Sequence, residues 1–325
     1  MIFTKIPQNF ASFQDPIIIG FDLEEVREKV DIAIRKRDGT QIGYKRLYGI
    51  QAAQIDIAPY LRHATTVAAP THVATADIFD TGASIDVMVE IAGINTAIFT
   101  FVAARLEAEN NFTTLSTQIP HRVMAYNDFD TIGYINKNGA RVRVQIEGHE
   151  GKDIVDQLVI ESSDKGQRTI AITPQDFRKS VKSMSVTIFY DDVEQERIEY
   201  EIREPMAGAK RVVWLNAQLS AECYTFPLRK SILAEATRHR MATLWGKEAA
   251  AVEGDGELKL ISAYEPQAQL KALSGILYSP KVWIQHNSDI QMVDMRTERV
   301  MITPGDGMGF IEIDLRAAKE GAELW

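Results

Sequence analysis

Over most of its length this chain alternates apolar and polar residues with a period of two. That period belongs to strands with one buried face and conflicts with an amphipathic helix, whose apolar stripe returns every 3.6 residues. Val30, Ile32 and Ile34 alternate with Asp31, Ala33 and Arg35, and Asp38-Gly39 supplies a turn before Gln41 to Ile50. Two strands and a hairpin follow. Ala53 to Leu61, Ala83 to Ile91 and Thr96 to Ala103 repeat the pattern, with Ala92-Gly93-Ile94-Asn95 as the turn between the last two. The expected unit is a β-sandwich-like domain over residues 1–112.

Glu109 to Pro120, with Asn110, Asn111, Thr113, Thr114 and Ser116, has loop composition and marks a boundary. Hairpin signals follow at Asn136-Lys137-Asn138-Gly139, Asp164-Lys165-Gly166 and Asp191-Asp192, each between strand-like runs. They predict a smaller antiparallel β domain over 113–206, closed by Glu204-Pro205-Met206-Ala207-Gly208. The remainder, 207–325, reads as mixed α+β. Arg211 to Leu215 is a strand; Leu228 to Ala251 is rich in Ala, Lys, Glu and Leu, whose propensities favour a helix. Pro266 to Leu277 is a better-marked helix, because Leu270, Leu273 and Leu277 share a face, Pro266 suits a first turn and Ser279-Pro280 supplies a stop. Lys281 to Gln285, Ile290 to Met295, Arg299 to Thr303 and Phe310 to Leu315 return to strand alternation. The fold class is therefore mainly β: tandem antiparallel β-sandwich-like domains, then a mixed α+β domain.

Composition narrows the function classes. The chain has 325 residues, 45% apolar and 25% charged, enough for two or three domains with their own cores. Its 36 basic and 45 acidic residues give a net charge of −9, which argues against a nucleic-acid partner and against an anionic membrane surface. No window is long and apolar enough to insert in a membrane, and the N-terminal stretch lacks the basic head and apolar run of a signal peptide. The expected location is the cytoplasm, or a particle assembled there. The single cysteine, Cys223, excludes an intrachain disulfide and any CxxC pair, and a small buried thiol is its expected role.

The sharpest local motif is Ile78-Phe79-Asp80-Thr81-Gly82-Ala83-Ser84, which is similar to the active-site loop of aspartic proteases. Such a loop holds one aspartate beside a second, and the pair shares a proton so that one acts as acid and the other as base. No second Asp-Thr-Gly occurs, and Thr131-Ile132-Gly133 is a poor match to the supporting apolar-apolar-Gly element. Asp-Thr-Gly is also ordinary turn chemistry, so Asp80 is the one catalytic candidate and a turn residue is its competing role. His63, His72, His121, His149, His239 and His286 have no metal-ligand spacing, and the acidic pairs Asp77 and Asp80, Asp128 and Asp130, Asp191 and Asp192 lack calcium-loop spacing. Pro304-Gly305-Asp306-Gly307-Met308-Gly309 leads into strand alternation, where a phosphate loop would open a helix. Asn111-Phe112-Thr113 is a glycosylation sequon without a secretion signal. Trp214, Tyr224 and Phe226 flank Cys223 as a core or interface group; Trp245 and Trp283 are the candidate stacking platforms for a carbohydrate- or surface-binding module. No metal or cofactor is expected.

Asp15-Pro16-Ile17-Ile18, Ile55 to Arg62 and Phe101-Val102-Ala103-Ala104 in the first segment are followed by Val212-Val213-Trp214-Leu215-Asn216, Tyr224-Thr225-Phe226 and Leu277 to Trp283. Taken together these phrases resemble uncharacterised β-rich proteins encoded in phage and prophage tail regions of Bacteroidetes-type bacteria. The chain departs from them at Ala217 to Ala221, where a Gly-rich, aromatic stretch is expected. The resemblance implies a non-enzymatic structural part of a tail or baseplate, acting by self-assembly or on protein partners. An aspartic-type hydrolase built on Asp80 and a carbohydrate- or surface-binding β-sandwich are the alternatives.

Overall fold

In Ser84–Ile91, every second residue is buried and the residues between are half-buried, as the alternation requires. The computed structural model describes residues 1–68, 75–106, 110–243, 245–286, 289–300, 302 and 307–318. The chain is mainly β. Its first segment forms a six-stranded antiparallel sheet around the long hairpin of Ile18–Lys36 and Gln41–Asp56, which turns at Asp38-Gly39 as read from the sequence. The strand expected to run from Ala53 to Leu61 stops at Asp56. Asp56 Oδ1 accepts the N–H groups of Ile17 (2.9 Å) and Ala58 (3.0 Å), and Pro59 in the next turn opens the helix Ala58–Ala64.

Two further sheets face each other across a core that includes Ile132, Tyr134 and Ile170 on one side and Val144, Ile146, Val186 and Ile198 on the other. One sheet runs in the order Asp77–Phe79, Gly166–Ile172, Asp130–Asn136, Phe112–Thr114; the other Asp153–Ser162, Val142–Glu150, Ser183–Tyr190, Val193–Arg203, His121–Ala125. Of the three expected hairpins, only Asp191-Asp192 is one, with both residues at positive φ (50° and 62°). Asn136 to Gly139 and Asp164 to Gly166 instead carry the chain from one sheet to the other. The Asn136 side chain ties the first of these corners, donating to Ala140 O and accepting from Gly139 N.

The last segment forms a seven-stranded antiparallel sheet, in the order Ala221–Phe226, Lys210–Leu215, Val282–His286, Asp289–Met295, Glu312–Ala317, Gly246–Ile261, Leu228–Thr243. The helix Gln267–Leu273 and the 3-10 turn Ser274–Tyr278 follow Pro266 as expected, and Leu270, Leu273 and Ile276 pack with Val212, Trp214 and Leu258. The helix expected over Leu228 to Ala251 is a correction: Leu228–Thr243 and Gly246–Ile261 pair as one long antiparallel ribbon. Individual helix propensities amount to a few tenths of a kcal/mol each, and without an apolar stripe they yield to the ladder of cross-strand hydrogen bonds. Arg299 and Val300 lie outside any strand; Met301 and Thr303 of that expected strand are outside the described residues, as are His72 and Pro304 to Asp306.

Among the described strands one ladder is parallel, that of His121–Ala125 on Val193–Arg203. It leaves His121–Ala125 at the edge of its sheet, against Ala221–Phe226 at the edge of the seven-stranded one. No helix among the described residues is long and apolar enough to cross a membrane.

Candidate functional site

The two sheet edges meet over a buried set of charges. Arg122 (5% exposed) comes from the strand His121–Ala125, Asp130 (1%) opens Asp130–Asn136, and Arg211 (4%) lies on Lys210–Leu215. Arg122 donates to Asp130 Oδ2 (2.9 Å), Ser116 Oγ (2.5 Å) and Ile119 O (3.1 Å). Arg211 Nη2 lies 3.3 Å from Asp130 Oδ1, and its Nη1 donates to Thr225 Oγ1 (2.8 Å), which donates on to Asp128 Oδ2 (2.6 Å). The Tyr200 hydroxyl donates to Asp130 Oδ2 at 3.0 Å, and burial pushes its pKa far up. Charges withdrawn from water need partners of opposite sign, and here two guanidiniums balance two carboxylates. Arg211 Nε and Asp130 Oδ1 remain without a hydrogen bond.

Beside this set, Glu222 accepts from Thr117 N (2.5 Å), Thr117 Oγ1 (2.8 Å) and Asn216 Nδ2 (2.9 Å), yet burial raises its pKa. The Cys223 thiol is pushed up to about 12 by burial, so it is a neutral thiol at physiological pH and no nucleophile. The signal for these residues is slight: Glu222 is a charge inside the apolar run Ala221 to Phe226, and Arg211 heads another.

Above the charges the edges part into a cleft with two adjoining cavities, of about 290 and 140 Å³. The larger includes Gln118, His121, Tyr264 and Gln269 in its walls; the smaller includes Met124, Asp128, Met206 and Thr225. Val123, Arg203, Arg211, Tyr224, Ala263 and Glu265 line both. Val123, Met206, Tyr264, Met308 and Phe310 stay exposed, and Tyr264 packs edge-on against Phe310 with ring centres 5.6 Å apart.

The residues singled out from sequence fall elsewhere, apart from Asp128, Asp130, His121, Tyr224 and Cys223. Asp80 lies in a turn: its Oδ1 accepts Gly82 N–H (2.7 Å) and its Oδ2 pairs with Arg168 Nη1 (2.7 Å). Gly82 has a φ of +74°, which only glycine adopts without strain. No second carboxylate is among the described partners of Asp80. Thr131-Ile132-Gly133 is in the same sheet as Asp77–Phe79, separated from it by Gly166–Ile172. Trp283 is 5% exposed and packed in the core with Phe13 and Val213, so it is closed to a sugar; Trp245 is 92% exposed at the ribbon turn. Trp214 and Phe226 are core residues. The described residues hold no cluster of three metal-ligating side chains.

No protein-family model matches this chain, and no curated protein matches it. Among solved structures it is similar to the BSP domain of a biofilm-associated protein, at 12% identity and a TM-score of 0.17 over 61% of this chain and 29% of that one. It is also similar to a Salmonella alpha-2-macroglobulin mutant, at 10% identity and a TM-score of 0.21 over 95% and 25%. The chain thus spans less than a third of either. At these TM-scores neither likeness bears on fold or function.

Proposed function

We propose that this chain is a non-enzymatic structural protein that works by assembly with other protein subunits. The ribbon carries the reading. Among the described residues, Glu312–Ala317 pairs with Glu257 to Ile261 of the ribbon, and the ladders join the ten register pairs from Ala234 and Gly256 to Thr243 and Gly246 only to each other. At roughly 3.3 Å per residue, the arm reaches about 33 Å beyond the sheet. His239, Arg240, Met241 and Ala242 are consecutive and all exposed, so both faces of the arm are open to solvent near its tip. A two-stranded ribbon is marginal in water by itself, and its unpaired edges are ready to accept another chain. An arm of this length fits a contact with a neighbouring subunit better than any role within the chain. The turn with its exposed Trp245 and Met241 supplies the apolar contact surface. A tail-like or baseplate setting, as the sequence resemblance implies, is one such assembly.

The test removes the arm. Joining Leu233 to Glu257 through Asn-Gly leaves the pairs next to the seven-stranded sheet. Full-length protein is expected to form oligomers or rings, seen by light scattering and electron microscopy, and the shortened protein to be a monomer that melts within about 3 °C of it. A full-length protein that stays monomeric at hundreds of micromolar, with no captured subunit, overturns the proposal.

A further inference from the structure

We propose that the smaller cavity of the cleft is a receptor slot for a single lysine or arginine side chain presented by a separate partner protein. It is independent of the arm. The slot's volume, about 140 Å³, is close to that of an engineered cavity of roughly 150 Å³ that admits one benzene. It accommodates one side chain and is too small for a nucleotide or an oligosaccharide. Its walls include Val123, Met206, Pro227 and Tyr224, suited to an aliphatic stem.

The polar groups select the sign of the head. Asp128 is 12% exposed, and its Oδ2 accepts from Thr225 Oγ1 and Ala125 N and lies 3.8 Å from Arg211 Nη1. Its Oδ1 takes no hydrogen bond from the described residues and is the acceptor on offer. Three carboxylates line the slot, those of Asp128, Glu204 and Glu265, against the guanidiniums of Arg203 and Arg211. Both guanidiniums are already engaged, Arg203 by Glu201 at 2.9 and 3.1 Å, and Arg211 by Asp130, by Thr225 and by Asp128 Oδ2 at 3.8 Å. Glu204, 86% exposed, has Lys182 at 3.8 Å as its partner among the described residues, and Glu265 accepts from Tyr224. The slot therefore keeps a negative surplus at Glu204 and Glu265 that a cationic side chain satisfies, with Asp128 Oδ1 and the Tyr224 ring among the lining groups.

The full-length protein, with its methionine methyl groups labelled with carbon-13, is titrated with acetyl-arginine amide and with its neutral isostere, acetyl-citrulline amide. Acetyl-arginine amide is expected to move the Met124 and Met206 methyl signals with half-saturation in the low millimolar range, and citrulline to bind at least tenfold more weakly. Asp128→Asn should weaken arginine about tenfold. Ala209→Phe, which fills the slot while leaving every charged side chain in place, should abolish the shifts and stands as the test if Asp128→Asn does not fold. Equal binding of citrulline, shifts that survive Ala209→Phe, or no shift at 50 mM overturns the proposal. A self-association in sedimentation that Ala209→Phe removes would put a second copy in the slot and overturn the assignment to a separate partner.

Discussion

Glu222 accepts three hydrogen bonds, which favour its ionised form, yet its burial raises its pKa above the ordinary 4.5. Desolvation outweighs the donors. A carboxyl group that is harder to ionise in the folded than in the unfolded chain stabilises the fold fully below its unfolded value, and that contribution is lost as pH rises through the folded value. Glu222→Gln keeps an amide oxygen for Thr117 N and Asn216 and removes the proton linkage. The difference in unfolding free energy, variant minus wild type, is expected to rise as pH climbs from 4.5 through the raised folded value and then level off. Denaturant titrations across that range check it, and a difference that stays flat or falls shows that Glu222 is not the titrating group.

At the scale of elements, Gly133 shows how closely the sheets approach. It sits mid-strand in Asp130–Asn136, where a Cβ would overlap Ser220 Oγ and lie 2.9 Å from Ser220 Cβ. Ser220 is buried and its hydroxyl has no hydrogen-bond partner, so removing it sacrifices little. Gly133→Ala is expected to destabilise by about 1–3 kcal/mol, as overpacking does, and the double variant with Ser220→Gly to recover most of that. Thermal melts of the four proteins decide it; additive effects would mean the two elements do not touch. Alternation found the strands that bury one face, such as Ser84–Ile91 and Val142–Glu150, while Asp130–Asn136 is buried on both. Alternation could not tell which turns are hairpins: Asn136 to Gly139 and Asp191-Asp192 have similar turn chemistry, but the strands after them pair with different sheets. The ribbon was misread for a related reason. Its distal strands bury neither face near the tip, so no alternation was selected there and composition alone pointed to a helix.

For the molecule as a whole, loop composition suggested segment boundaries near 112 and 206, and the contacts that run across those positions were not legible. Phe129, Val213, Leu215, Cys223 and Trp283 pack into the core of the first sheet, and Asp77–Phe79 joins the sheet of Gly166–Ile172. Such contacts join residues far apart in sequence and leave no periodic trace. The same holds for the cleft, whose charges come from separate strands and turns spread from Arg122 to Glu265. Because the core is shared and Asp130 bridges two guanidiniums, the three segments should unfold together in one transition. Asp130→Ala leaves two buried guanidiniums with one carboxylate, Arg211 keeping Asp128 at 3.8 Å and Arg122 losing its ion-pair partner, at a loss of about 3–5 kcal/mol. Calorimetry of the variant is expected to show two transitions, the C-terminal sheet melting separately; a single transition near the wild-type midpoint would mean the charges do not couple the segments.

The ribbon also behaves as a ruler. Its two strands advance together, so inserting one residue in each lengthens the arm by about 3.3 Å without touching the sheets below. Each such step also turns the next pair of side chains to the opposite face, so the tip regains its aspect only after two steps, near 7 Å. Reach and facing are locked to one another, and under the proposed assembly role the spacing that the arm sets changes in increments of that size.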